Sequence, residues 1–134
     1  MSEQPQPEPK DAPQPNWVAV HSACTLPNVF RSIRQRVEAD VKARNDIRPH
    51  SSPYEFTIGE GDDEFKVSLK HPEIHKSVFF SLTKNAIVIL DDKRIKMFEV
   101  TSTFNDKSEC ILSVDHEPRE LWQISRLALE GIFF

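Results

Sequence analysis

Between residues 54 and 114 the apolar side chains alternate with polar ones in short runs, and the connections between runs are too brief to reverse a parallel strand. The runs are Tyr54, Phe56, Ile58; Phe65, Val67, Leu69; Val78, Phe80, Leu82; residues 86–90; residues 95–104; and Cys110, Leu112, Val114. A period of two places each alternating set on one side of a pleated strand, while residues 86–90 are apolar throughout. The links Gly59-Glu60-Gly61-Asp62-Asp63, Thr83-Lys84-Asn85, Asp91-Asp92-Lys93-Arg94 and Asn105-Asp106-Lys107 are all turn chemistry. A parallel return needs a crossover of about a dozen residues or more, so consecutive strands joined this closely are antiparallel. The pattern predicts a meander of five to six strands. Its phase changes between Met97 and Phe98, which predicts a bulge and a curved sheet.

The flanks carry a different period. From Pro27, Val29, Phe30, Ile33, Val37 and Val41 recur at helical spacing until Asn45, a one-sided amphipathic helix with proline in its first turn. Residues 45–53, with Pro49 and Pro53, read as a loop. After the last strand Glu117-Pro118 is expected to open a second helix, with Leu121, Trp122, Ile124, Ala128, Leu129 and Ile132 on a wide apolar face. That pattern runs on into Phe133 and Phe134, which are expected to be buried. Trp17-Val18-Ala19-Val20, the first apolar cluster, is expected as a short edge strand or strap. The fold class is therefore α+β: an amphipathic N-terminal helix, the antiparallel meander, and a C-terminal helix packed on the curved sheet.

Residues 1–15 hold five of the ten prolines and, after Met1, one aliphatic side chain, Ala12. They cannot bury enough surface to offset ordering and read as a disordered, extended tail. None of these prolines stand three apart, so the PxxP spacing of a docking motif is missing. Residues 16–134 are left as a single domain. No run approaches the ~20 apolar residues of a membrane span, and the N-terminal residues lack the basic start and apolar segment of a secretory signal. A cytoplasmic location is the expectation. Cys24 and Cys110 are the only cysteines, and in that setting they read as two small buried hydrophobes rather than a bridge.

Few residues carry recognisable chemistry. His71-Pro72-Glu73-Ile74-His75 places two histidines four apart, but the proline limits any helix there to a turn and no third ligand has a fixed spacing. The acidic stretch from Glu60 to Glu64 lacks the ligand order of an EF-hand. There is no nucleophile elbow, and three glycines in all leave little scope for a phosphate loop. No metal site and no cofactor is expected. Between Pro27 and Arg48, six basic residues face three acids; Arg31, Arg34, Arg36, Arg44 and Arg48 form the arginine part of that set. A net charge of −4 for the whole chain argues against nucleic acid as a ligand, and the solvated face of a helix accounts for the arginines.

The sharpest clue is two-sided apolar character in the middle strands. Val78-Phe79-Phe80 and Ile87-Val88-Ile89 put large side chains on both faces, whereas a sheet wetted on one side alternates. The leading expectation is a non-enzymatic binding or protein-interaction module, with self-association into a homodimer as one form of it. Its contact residues would be Phe79, Ile87, Ile89, Met97 and Ile111. A second reading is a small enzyme or ligand-binding domain with a pocket between helix and sheet and His71, His75 and His116 as acid or base groups. A third is an adaptor for nucleic acid or an acidic partner through the basic first helix.

Overall fold

The computed structural model describes residues 16–48 and 54–134; the expected tail and the Pro49 to Pro53 part of the expected loop lie outside these residues. Helix α1 (Trp17–Ala23) leads into α2 (Leu26–Asp46). Then come seven strands: β1 (Glu55–Gly61), β2 (Glu64–Lys70), β3 (Ser77–Leu82), β4 (Ile87–Leu90), β5 (Lys96–Phe104), β6 (Cys110–Val114) and β7 (Glu117–Pro118). Helix α3 (Leu121–Phe133) follows. All seven strands are antiparallel to their sequence neighbours and lie in the order β1 to β7. The fold is α+β, as the alternation and the helical flanks require.

The ends of the meander differ from expectation. Trp17 to Val20 are helical, because the Asn16 side chain accepts the Ala19 N–H at 3.2 Å and starts a turn that two β-branched residues alone would not favour. Glu117-Pro118 opens no helix. Asp115 and His116 both take positive φ, 49° and 76°, which is the geometry of a tight hairpin. The chain therefore doubles back and Ser113 pairs with Pro118. Helix α3 starts three residues later, with Glu120 and Gln123 forming a reciprocal capping box.

Register separates the two faces of the sheet. Phe65 pairs with Phe80, Phe80 with Ile89, and Ile89 with Phe98, so these residues share one face with Phe56, Val67, Val78, Ile87 and Val100. Val29, Ile33, Val37 and Val41 of α2 and Ile124, Ala128, Leu129 and Phe133 of α3 join the same buried cluster. Both long helices thus cover one face. At the bulge, Ile89 pairs with Phe98 but Leu90 with Lys96, which leaves Met97 as the extra residue at the expected phase change. Phe133 is buried as expected, whereas Phe134 is exposed.

The cysteines are not two separate hydrophobes. Cys24, buried at the end of α1, is bonded to Cys110 at the start of β6, 86 residues away. Spacing gives no hint of this pair, because the meander is what brings β6 under the first helix.

Candidate functional site

A cleft bordered by exposed apolar side chains lies between α2 and α3. Arg36, Asp40, Ala43 and Ile47 recur along α2 and its C-cap at intervals of four, three and four, and this stripe borders a cleft of about 440 Å³. Trp122, Leu129 and Phe133 approach it from α3. Trp122 is 44% exposed, Ile47 66% and Phe134 84%. Three exposed apolar side chains, from both helices and the end of α3, thus border one cleft.

Polar groups fix the walls. The buried Ser125 hydroxyl donates to Asp40 Oδ2 at 2.6 Å, and Arg36 Nε donates to the same oxygen at 3.2 Å. Arg44 Nε donates to the Phe133 carbonyl at 2.9 Å, with its guanidinium carbon 5.5 Å from the Phe56 ring centre and 5.2 Å from that of Phe134. These contacts join α2 to α3 at two heights. Arg126 pairs with Glu130 on the rim at 3.3 Å. Among the lining side chains three arginines stand with two acids, and the hydrogen bond that Arg44 makes goes to a carbonyl rather than to a carboxylate side chain.

The expected sheet-face residues are not one surface. Ile87 and Ile89 are fully buried beneath the helices, because their parity matches Phe80 and not Phe79. Phe79 and Ile111 lie on the opposite face with Val88 and Leu90, each half-buried. Met97 sits at the bulge, where it shares a cleft of about 210 Å³ with His75 and Ile132. The opposite face is also screened by its own charges. The Arg94 guanidinium lies 4.1 Å from the Phe79 ring centre and Lys66 Nζ 5.8 Å. Arg94 is held there by two hydrogen bonds to Glu64, at 3.2 and 3.0 Å. The Glu64 carboxyl is pulled below its ordinary range chiefly by those bonds, against a smaller upward push from burial.

The histidines have local roles. His71 Nδ1 accepts the N–H groups of Glu73 and Ile74, at 3.0 and 2.9 Å, and so holds the turn between β2 and β3. His75 is exposed in that same connection and His116 is exposed in the β6–β7 turn. Among the described residues no group of three or more His, Cys, Asp or Glu side chains is placed to hold a metal ion.

The arginines of the first long helix do not form a stripe either. Arg31 donates to Asn28, Arg34 pairs with Glu38 and Glu60, Arg36 with Asp40, and Arg48 with Glu55. Arg36 and Arg44 belong to the groove.

Trp122 and Ile47 are the groove residues that periodicity alone assigned elsewhere, to a core face and to a loop. The signal present in the sequence was the second, flanking stripe of α2 from Arg36 to Ile47. Compared with family models, curated proteins and solved structures, the chain matches none of them.

Proposed function

We propose that this protein is a non-enzymatic interaction module that takes an amphipathic, acid-bearing helical segment of a protein partner into the groove between α2 and α3. The observation that carries the reading is the grouping of exposed Ile47, Trp122 and Phe134 around a cleft rimmed by Arg36, Arg44 and Arg126. A groove between two helices accepts a third by burying apolar anchors spaced three and four apart. Aromatic and arginine side chains are the types that dominate such contacts. The arginines select acidic over basic segments and speed encounter more than they tighten it.

This assignment moves the interaction surface from the sheet to the helices. On the opposite sheet face Phe79 is half-buried beside Arg94 and Lys66, while Trp122 of the helical layer is exposed. A histidine-based active site has less support, since His71 is committed to a backbone turn. The disulfide suits a compartment that keeps cysteines oxidised and weighs against the reducing cytoplasm expected from the N-terminal sequence.

The test uses Trp122 as reporter in a Trp17→Phe protein, titrated with a synthetic amphipathic 18-residue helix bearing acids beside a leucine stripe. A saturable change in emission that weakens with added salt and is lost in Arg36→Glu/Arg126→Glu supports the reading. Equal binding of a lysine-bearing peptide of the same pattern, or no saturable response, overturns it. A concentration-dependent mass in light scattering that Trp122→Ala abolishes would make a second copy of the chain the occupant instead.

A further inference from the structure

Helix α1 has an unusual position: it lies over the end of β5 and β6 yet buries none of its own seven residues. Seven residues are too few for a helix to persist in water by its own hydrogen bonds. Something outside the helix must keep it folded and in place.

Its contacts to the sheet are few and lie close together. The His21 ring stacks on Phe104 with centres 3.8 Å apart. The Ser102 hydroxyl donates to the Cys24 carbonyl at 2.7 Å. Cys24, the C-cap of α1, is bonded to Cys110. Ser102, Phe104 and Cys110 all have the parity of the helix-covered face, and Phe104 pairs directly with Cys110. On the solvent side Trp17 and Val18 stay exposed, at 63% and 57%. No residue of α1 belongs to the buried core cluster, which is built from α2, α3 and the sheet.

We propose that the Cys24–Cys110 bond is a thiol–disulfide exchange site that latches α1 onto the sheet, with a dithiol as its co-reactant. Cys110 is exposed and Cys24 is buried, so the accessible end of the bond is Cys110. One thiolate of the dithiol attacks Cys110 Sγ and Cys24 leaves as a thiolate. The second thiol of the reagent then displaces Cys110, so the dithiol becomes a disulfide and both cysteines gain a proton and an electron. With the bond open, one stacked ring and one hydrogen bond still tie α1 to the sheet, and the Asn28 side chain donates to the Ser22 carbonyl at 2.7 Å from α2, on a helix with none of its residues buried. Helix α1 then detaches and uncovers Phe104, whose strand partner Cys110 lines a cleft of about 420 Å³ with Ile111, Leu112 and Leu121. Reoxidation re-seats it.

Hydrogen exchange on the full chain, oxidised and then treated with dithiothreitol, reads this directly. Amides of residues 20–24 should exchange about tenfold faster or more after reduction, while those of residues 29–41 and of β3 to β5 keep their protection. In a Trp122→Phe protein the emission anisotropy of Trp17, which lies edge-on to His21 at 5.6 Å, should fall on reduction and recover on reoxidation. Cys24→Ser/Cys110→Ser should show the released pattern without reductant and no response to it. Unchanged exchange and anisotropy after reduction overturn the latch. So does loss of protection throughout the chain, in the reduced protein or in the double variant, because the bond would then be a staple for the whole fold.

Discussion

Asn45 completes the edge of the sheet by standing where a neighbouring strand would: its side-chain oxygen accepts the Phe56 N–H and its side-chain NH₂ donates to the Phe56 carbonyl, both at 2.9 Å. Phe56 belongs to edge strand β1, and the residue that ends the apolar stripe of α2 therefore also blocks one site of strand addition. Edge strands with free backbone groups invite pairing with another chain. Asn45→Ala removes both bonds and leaves a partly buried N–H and C=O to find water. We expect a loss of about 1–3 kcal/mol in urea unfolding, with increased scattering at high protein concentration. Asn45→Asp should keep the accepting half and recover part of the stability.

Register makes neighbours in sequence unequal in energy. Phe80 is fully buried and stacked on Phe65, with ring centres 4.5 Å apart and planes 10° from parallel, whereas Phe79 lies on the opposite face under Arg94. Phe80→Ala is expected to cost about 3–5 kcal/mol, as deletion of a core aromatic does. Phe79→Ala should cost about 1 kcal/mol, the scale of partial burial and a cation–ring contact. Equal losses in chemical denaturation would contradict the face assignment that removes Ile87 and Ile89 from the open surface.

That assignment marks the boundary of what the residues disclosed before the structure. The strands were legible because each short alternating run has one phase and each link is a turn, and even the bulge at Met97 was written in the slip of phase. The run from 86 to 90 was not legible in the same way. A continuous apolar stretch has no period, so nothing in it says that Ile87 and Ile89 take the covered face while Val88 and Leu90 take the other. Nor does an amphipathic helix state which side of a sheet it covers, and both long helices chose one side. The groove depends on that choice, since Trp122 becomes a groove wall only when α2 lies next to α3. The disulfide depends on it too.

Ser125 tests the coupling between those helices. Its buried hydroxyl donates to Asp40, which also takes Arg36. Ser125→Ala deletes the donor without adding bulk, and the partly exposed carboxylate can turn toward Arg36 and water. The expected cost is about 1–2 kcal/mol, the range for a hydrogen bond to a charged group discounted for that exposure. Emission from Trp122, three residues away, should shift as the groove wall loosens, in a Trp17→Phe background. A stability unchanged within error would mean that the two helices are held by apolar packing and Arg44 alone.

The pair of Glu64 and Arg94 gives a pH dependence whose sign can be worked out. Hydrogen bonds from Arg94 hold the Glu64 carboxyl below its ordinary value in the folded protein, whereas in the unfolded chain it titrates near the usual value of about 4.3. The unfolded state therefore binds a proton first as pH falls. Stability from this pair is fully present above the ordinary carboxylate range, declines as pH drops through it, and is gone below the folded value. Glu64→Gln should be less stable than the parent at pH 7, and the gap should close as pH falls through the carboxylate range, in guanidinium titrations at matched ionic strength. The same substitution frees Arg94 from its place over Phe79, so the variant should also bind an apolar fluorescent dye more strongly at neutral pH. A gap between parent and variant that stays constant from pH 7 to pH 2 would show that the pair does not hold the carboxylate in solution, and that Arg94 screens the open face without Glu64.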